Sequence, residues 1–445
     1  MLDNKDISGA FIGENSSQVY IGKADFVHGE VTFTSVILVY INSNKAYIEF
    51  TESAHTLLLD DITTFEGNVD NGNNLIKGKI RYRRENINGG TIAECYELHV
   101  GEAGNIRKVE TILMGCYFEQ EFTFNDKGRK ITFLPSTNSL SLAKRTKHLN
   151  HTILEGSRVV IEHDNLSIDG VNQMLWVICW LLRPIVASEV YYKPLIINDG
   201  ELIIYSPSTP SGNRFGMSEK ILISTDSLPG YLRDGLTKWE NLDAFDRLTI
   251  KDAGYVLANA EVLGYGELAI MPLFAAIERL GSKYDSVKSI PNNQINKIVK
   301  DLKGKLKETA NAFFDSINES LTGGQKTNLL RSIANVKPYD DQMIQKLKRH
   351  LINSNWQMEI DFKVYKKLRD SIMHSGVWPK KSKKPPFNDP EDYPNHKSKE
   401  LQDQMEVIML IAVLDLVEFD GLVEMSKNGW RTYVRVNDVK LGHWE

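Results

Sequence analysis

The chain has 445 residues, 42% of them hydrophobic and 25% charged, with a formal net charge of −5. These are the proportions of an ordinary soluble protein, and the length supports two or three domains with real cores. The charge argues against a general nucleic-acid coat, and three scattered cysteines (Cys95, Cys116, Cys179) argue against a disulfide framework and for a reducing, cytoplasmic setting. The polar opening Met1–Gly9 does not read as a secretory signal, and the longest unbroken apolar run, Met174–Leu182, is too short to span a bilayer, so no membrane partner is expected.

From about Phe11 to Pro135 the hydrophobic period is two. Val31, Phe33, Ser35, Ile37 and Val39 alternate with Thr32, Thr34, Val36 and Leu38, and Ile92, Glu94, Tyr96, Leu98 and Val100 with Ala93, Cys95, Glu97 and His99. Turn signals fall between such runs at Asn71-Gly72, Asn88-Gly89-Gly90 and Asn125-Asp126-Lys127-Gly128, the last joining Phe118–Phe124 to Lys130–Leu134 as a hairpin. This pattern predicts an antiparallel sandwich or barrel with no catalytic constellation, suited to recognition.

A Lys-rich piece (Lys144, Arg145, Lys147) leads into a strand over Arg158–His163. Asp169 or Gly170 then opens a helix that is apolar on every face from Met174 to Leu182, the mark of a helix buried between layers, with Pro184 ending or kinking it. His148 and His151 have a spacing a metal could use, with His163 nearby, but no cysteine or carboxylate pattern completes a tetrahedral set, so neither metal nor cofactor is assigned. Two short strands are expected at Leu202–Tyr205 and Ile221–Ser224. From Leu228 onward helices dominate: Tyr231–Leu242, then Ala253–Tyr284 with Pro272 kinking or splitting it. Apolar stripes follow at Ile295, Ile298, Leu302, Leu306, Phe313 and Ile317, and at Met343, Ile344, Leu347 and Leu351.

The next helix carries Phe362, Tyr365, Leu368 and Ile372 on one side and Lys363, Lys366, Lys367 and Asp370 on the other, and Gly376 and Pro379 stop it. Arg369 therefore falls at the border of the buried stripe and His374 in the last turn. Arg-to-His pairs at this spacing occur three times, at Arg145/His151, Arg158/His163 and Arg369/His374. Only the last sits at the end of an amphipathic helix in a helical region. Five residues at about 100° each set Arg369 and His374 roughly 140° apart, so one straight helix cannot aim both at one atom. Either the helix end bends, or two copies complete a site across a dimer.

Arginine and histidine without a metal set suit RNA cleavage by the RNA's own 2′-hydroxyl. Histidine titrates near neutrality and serves as base or acid; arginine stays charged and its planar fork matches a phosphate. The plainer alternative is that Arg369 pairs with a carboxylate while His374 caps its helix end. Beyond the motif, Pro379 to Pro394 holds five prolines and Lys380, Lys381, Lys383 and Lys384, an extended loop that is either a solvated linker or an electrostatic funnel for an RNA backbone. Residues 251–445 carry 29 Lys/Arg against 26 Asp/Glu, while the rest carries 24 against 32, so the positive balance lies in this half. The apolar run Val407–Phe419 forms a final helix, and Trp430–Val436 alternates like a strand.

Leu368-Arg369-Asp370-Ser371-Ile372-Met373-His374-Ser375-Gly376 resembles the signature of the HEPN superfamily. Phe274-Ala275-Ala276-Ile277-Glu278-Arg279-Leu280-Gly281 resembles that domain's opening helix, and Val407–Phe419 followed by Asp420-Gly421 its closing helix. A β-rich front half before a helical C-terminal domain resembles, by layout, the ApeA-like branch associated with antiphage defence. Asp370 stands where asparagine is frequent.

The resemblance implies an α+β multidomain protein: a β-rich sensing or regulatory domain over 1–165, a mixed connecting region over 166–250 and a HEPN helical bundle over 251–445. It implies a metal-independent endoribonuclease in abortive infection, with Arg369 and His374 catalytic and Asp370 and Ser371 supporting them. Its partners would be an RNA, tRNA among the candidates, a second copy in a homodimer or larger homo-oligomer, and a phage-derived trigger at the front domain. The alternative is a catalytically silent HEPN scaffold that binds nucleotide or a partner protein.

Overall fold

The computed structural model describes residues 18–28, 31–41, 46–50, 63–69, 74–85, 91–135, 155–205, 221–263, 267–282, scattered positions from 300 to 370, 392–427 and 430–440. It divides into two compact units, one formed by residues 1–269 and 409–436, the other by 270–408 and 437–445. The architecture is mixed: a large antiparallel sheet together with several helices.

The first unit is built on twelve antiparallel strands among the described residues. Six of them close on themselves: β1 (Gln18–His28), β2 (Val31–Ile41), β3 (Ala46–Phe50), β4 (Thr63–Val69), β5 (Asn74–Glu85) and β6 (Thr91–Gly101). β1 pairs with β2 and β4, β5 joins β4 to β6, and β3 bridges β2 and β6, so the ring is complete. Closure removes the exposed edges that an open sheet would present. The expected barrel is present, and its interior holds the inward half of each alternation: Phe26, Ile37, Val39, Ile48, Phe50, Phe65, Ile76, Ile80 and Leu98. Phe26 is its centre, with ring centroids 4.9, 4.7 and 5.6 Å from Phe33, Phe50 and Phe65.

The single alternation expected over Ile92–Val100 is not what forms. Lys79 pairs with Glu97 and Ile80 with Cys95, so Tyr96 is an extra residue without a cross-strand partner in β5. This bulge switches faces: Ala93 points inward before it, Leu98 and Val100 after it, and Tyr96 is 37% exposed. At the bulge β6 also changes neighbour. Thr91–Glu94 pair with β3, whereas Leu98–Gly101 pair with β12 (Leu202–Tyr205). One strand thus closes the barrel and carries the same sheet onward through β12, β11 (Tyr191–Ile197), β7 (Lys108–Met114), β10 (Glu155–Glu162), β9 (Arg129–Leu134) and β8 (Phe122–Asp126). The β8–β9 hairpin turns on Lys127-Gly128, both at positive φ (50° and 81°), as its sequence requires.

Glycine at inward position 78 is a packing requirement. A Cβ there would stand 2.3 Å from the Glu97 carbonyl oxygen and 2.8 Å from the Phe65 ring. The barrel thus fits a large ring against an absent side chain. Gly78→Ala is expected to destabilise the first unit by about 1–3 kcal/mol, the usual cost of overpacking, read as a lower midpoint in urea unfolding followed by circular dichroism. An unchanged midpoint would mean that both the β6 backbone at Glu97 and the Phe65 ring shift aside without cost.

Helix α1 (Ile168–Val186) is buried as expected, with Ser167 Oγ accepting from Gly170 N at 3.1 Å as its N-cap. Pro184 lies within it, and the helix runs two residues further before Ala187 closes it in the left-handed conformation. Trp180 of α1 stacks on Trp239 of α2 (Leu228–Trp239), and Lys251 of α3 (Ala244–Leu263) sits 3.8 Å over the Trp180 ring, so the three helices interlock. Pro272 does not split the helix: α3 is described to Leu263, and α4 (Glu267–Ser282) runs through Pro272. In place of a strand at Ile221–Ser224 there is an isolated bridge from Ile223 to Val423 of β13 (Leu422–Lys427), which pairs with β14 (Trp430–Arg435).

In the second unit α4 buries Leu273, Phe274, Ile277 and Leu280, while Leu401, Met405 and Ile408 of α5 (Asp392–Leu416) are also buried. Leu347 and Leu351 of the second apolar stripe are buried, and Met343 and Ile344 lie outside the described residues. Of the first stripe only Leu306 is described, and it is 40% exposed.

Candidate functional site

The candidate site is built from α4 and the helical residues 368–370. Tyr365 and Leu368 are buried, Phe362 is half-buried and Lys366 is exposed, so the described part of the motif helix presents the face its periodicity requires. The Tyr365 ring meets Phe274 of α4 edge-on, with centroids 5.0 Å apart and planes at 76°. That contact brings the motif helix against the helix that carries Glu278.

Arg369 stands at the rim of this apolar contact. Its Nε donates to Glu278 Oε1 at 2.7 Å and its Nη1 to Asp370 Oδ1 at 3.0 Å. The Arg369 and Glu278 side chains are 18% and 12% exposed, whereas Asp370 is 41% exposed. The Glu278 hydrogen bond raises the Arg369 pKa further above its ordinary value, against the opposing effect of burial and with added help from Asp370. Arg369 is therefore a permanent cation. The neighbouring Arg279 shifts the other way, lowered by burial. With two carboxylates on one guanidinium, the immediate triad carries net charge −1, so a phosphate reaching Arg369 has an anion to displace.

Glu278 is the residue that sequence reasoning left without a role. Its signal was present: it lies four residues after Phe274 and one after Ile277, which puts a charge on the apolar face of α4. A charge placed there needs a partner, and Arg369, 91 residues away, is that partner.

Of the other site residues named from sequence, Asp370 is brought to Arg369, whereas Ser371, His374, Lys380, Lys381, Lys383 and Lys384 lie outside the described residues. Arg145, His148 and His151 do as well. Arg158 lies in β10, 3.1 Å from Glu110, and the His163 Nδ1 accepts from the Asn165 amide at 3.2 Å, so this pair serves the sheet. Among the described residues no three His, Cys, Asp or Glu side chains stand together as a metal site, and no helix is long and apolar enough to cross a membrane.

Comparison of the chain with protein-family models, curated proteins and solved structures returns no match. The functional reading therefore rests on the residues themselves.

Proposed function

We propose that the chain is a metal-independent endoribonuclease of HEPN type acting in antiphage defence by abortive infection. Arg369 holds the scissile phosphate, and His374 handles the protons of attack by the RNA's own 2′-hydroxyl. Asp370 and Ser371 support them, Lys380, Lys381, Lys383 and Lys384 guide the RNA backbone, and two protomers bring their motifs together at a two-fold interface. The helices within residues 251–445 form the HEPN bundle, and the β-rich front half, residues 1–165, senses a phage-derived trigger. The observation that carries this reading is the placement of Arg369: at the rim of a packed helix pair, charged, and with Nη2 making no hydrogen bond among the described residues.

The chemistry is tested by the ends it leaves. Attack by the 2′-hydroxyl predicts products with 2′,3′-cyclic phosphate and 5′-hydroxyl ends; 5′-phosphate ends would point to a hydrolytic mechanism of another kind. One observation favours the second reading, a silent HEPN scaffold: Nε and Nη1 of Arg369 are already bonded to carboxylates, as in a structural ion pair.

A further inference from the structure

The two carboxylates on Arg369 occupy different edges of its guanidinium. This group is planar and offers two bidentate edges, one side-on through Nε and Nη2, the other end-on through Nη1 and Nη2. Glu278 takes Nε and Asp370 takes Nη1, so each edge is half occupied and neither is open to both oxygens of a phosphate. The two blocks differ in permanence. Glu278 comes from another helix and is 12% exposed, whereas Asp370 is the next residue in the chain and is 41% exposed. Breaking the first would strand a buried charge; turning the second aside moves an accessible side chain into water.

We infer that Glu278 is the positioning residue that fixes the plane of the Arg369 guanidinium through Nε, and that Asp370 is a displaceable anion that an incoming RNA phosphate replaces on the Nη1/Nη2 edge. Glu278 then sets where the fork points, and Asp370 sets how readily it accepts an anion. Before binding, Asp370 keeps the fork from capturing free phosphate. On binding, an anion already bonded to Nη1 gives way to a better-fitting one, and the Asp370 carboxylate, tethered to the next residue, turns into water where its repulsion of the phosphate is screened. The inference rests on the nuclease reading only for the nature of the ligand, a nucleic-acid phosphate.

The test uses the full chain and a fluorescent 2′-O-methyl RNA, which binds but cannot be cut through its 2′-oxygen. Asp370→Asn is expected to bind it about fivefold more tightly than wild type, since an exposed ion pair no longer has to be broken. In the Arg369→Lys background the same substitution is expected to change binding by less than about twofold, because the gain acts through the fork. Glu278→Asp, which withdraws the anchor by one methylene, is expected to weaken binding about tenfold, and Glu278→Gln, which keeps an acceptor in place, to stay within about threefold of wild type. Equal effects of Asp370→Asn in both backgrounds, weaker binding by that variant, or Glu278→Asp indistinguishable from wild type would overturn the inference, as would absence of binding in every variant. Binding in this pattern with no cleavage of unmodified RNA would overturn the nuclease reading alone.

Discussion

Arg369→Lys is expected to lower RNA cleavage by about two to three orders of magnitude while leaving the second unit folded. Lysine keeps a positive charge beside Glu278, so the mostly buried carboxylate stays neutralised. It loses the planar fork, and with it any contact that grips two phosphate oxygens at once. Alanine is the less informative change. The position of Arg369 at the edge of the apolar stripe suggests that truncation there costs little, but the structure corrects that expectation: removing the guanidinium leaves Glu278, 12% exposed, without its partner, at a cost of up to about 3 kcal/mol. A loss of activity in Arg369→Ala would therefore mix chemistry with stability. Cleavage rates on a labelled RNA, set beside thermal unfolding of the same preparations, separate the two. Wild-type activity in Arg369→Lys would show that no bidentate contact is made.

Phe26→Ala is expected to destabilise the first unit by about 3–5 kcal/mol, the usual cost of truncating a fully buried phenylalanine. Phe26 is fully buried, and its ring meets three other phenylalanines within 4.7–5.6 Å. Truncation opens a cavity at the point where β1, β2, β3 and β4 converge, and a closed barrel has little freedom to collapse into it. Phe26→Leu, which refills most of the volume, is expected to recover more than half of the loss. Urea unfolding of the two variants gives the difference directly, and equal midpoints for Phe26→Ala and wild type would place the core elsewhere.

Much of the first unit was legible in the sequence because strand alternation is a local property. Ser35, Ile37 and Val39 point inward as their spacing requires, and Lys127-Gly128 turns the hairpin that flanking apolar runs demanded. What was not legible depends on partners distant in sequence. The Tyr96 bulge exists because β6 serves two neighbours, β3 and β12, and the identity of the second is set by residues 202–205. Pro272 was over-weighted for a different reason: it does not end α4, whose Leu273, Phe274 and Ile277 are buried, so tertiary packing overrides the local preference. In the candidate site the amphipathic face of the motif helix could be read from Tyr365 and Leu368. The partner of Arg369 could not, since a lone glutamate on an apolar face announces that a counter-charge is needed without saying which.

The central claim is that Arg369 and His374 cut RNA without a metal. Purified full-length protein is incubated with total cellular RNA in EDTA, wild type beside His374→Ala, and the RNA is resolved by size. The account predicts fragmentation by the wild type that persists in the chelator and is abolished by His374→Ala in a protein of unchanged fold and oligomeric state. Intact RNA with both proteins in EDTA but fragmentation after Mg²⁺ is restored, or equal fragmentation by wild type and His374→Ala, would contradict it.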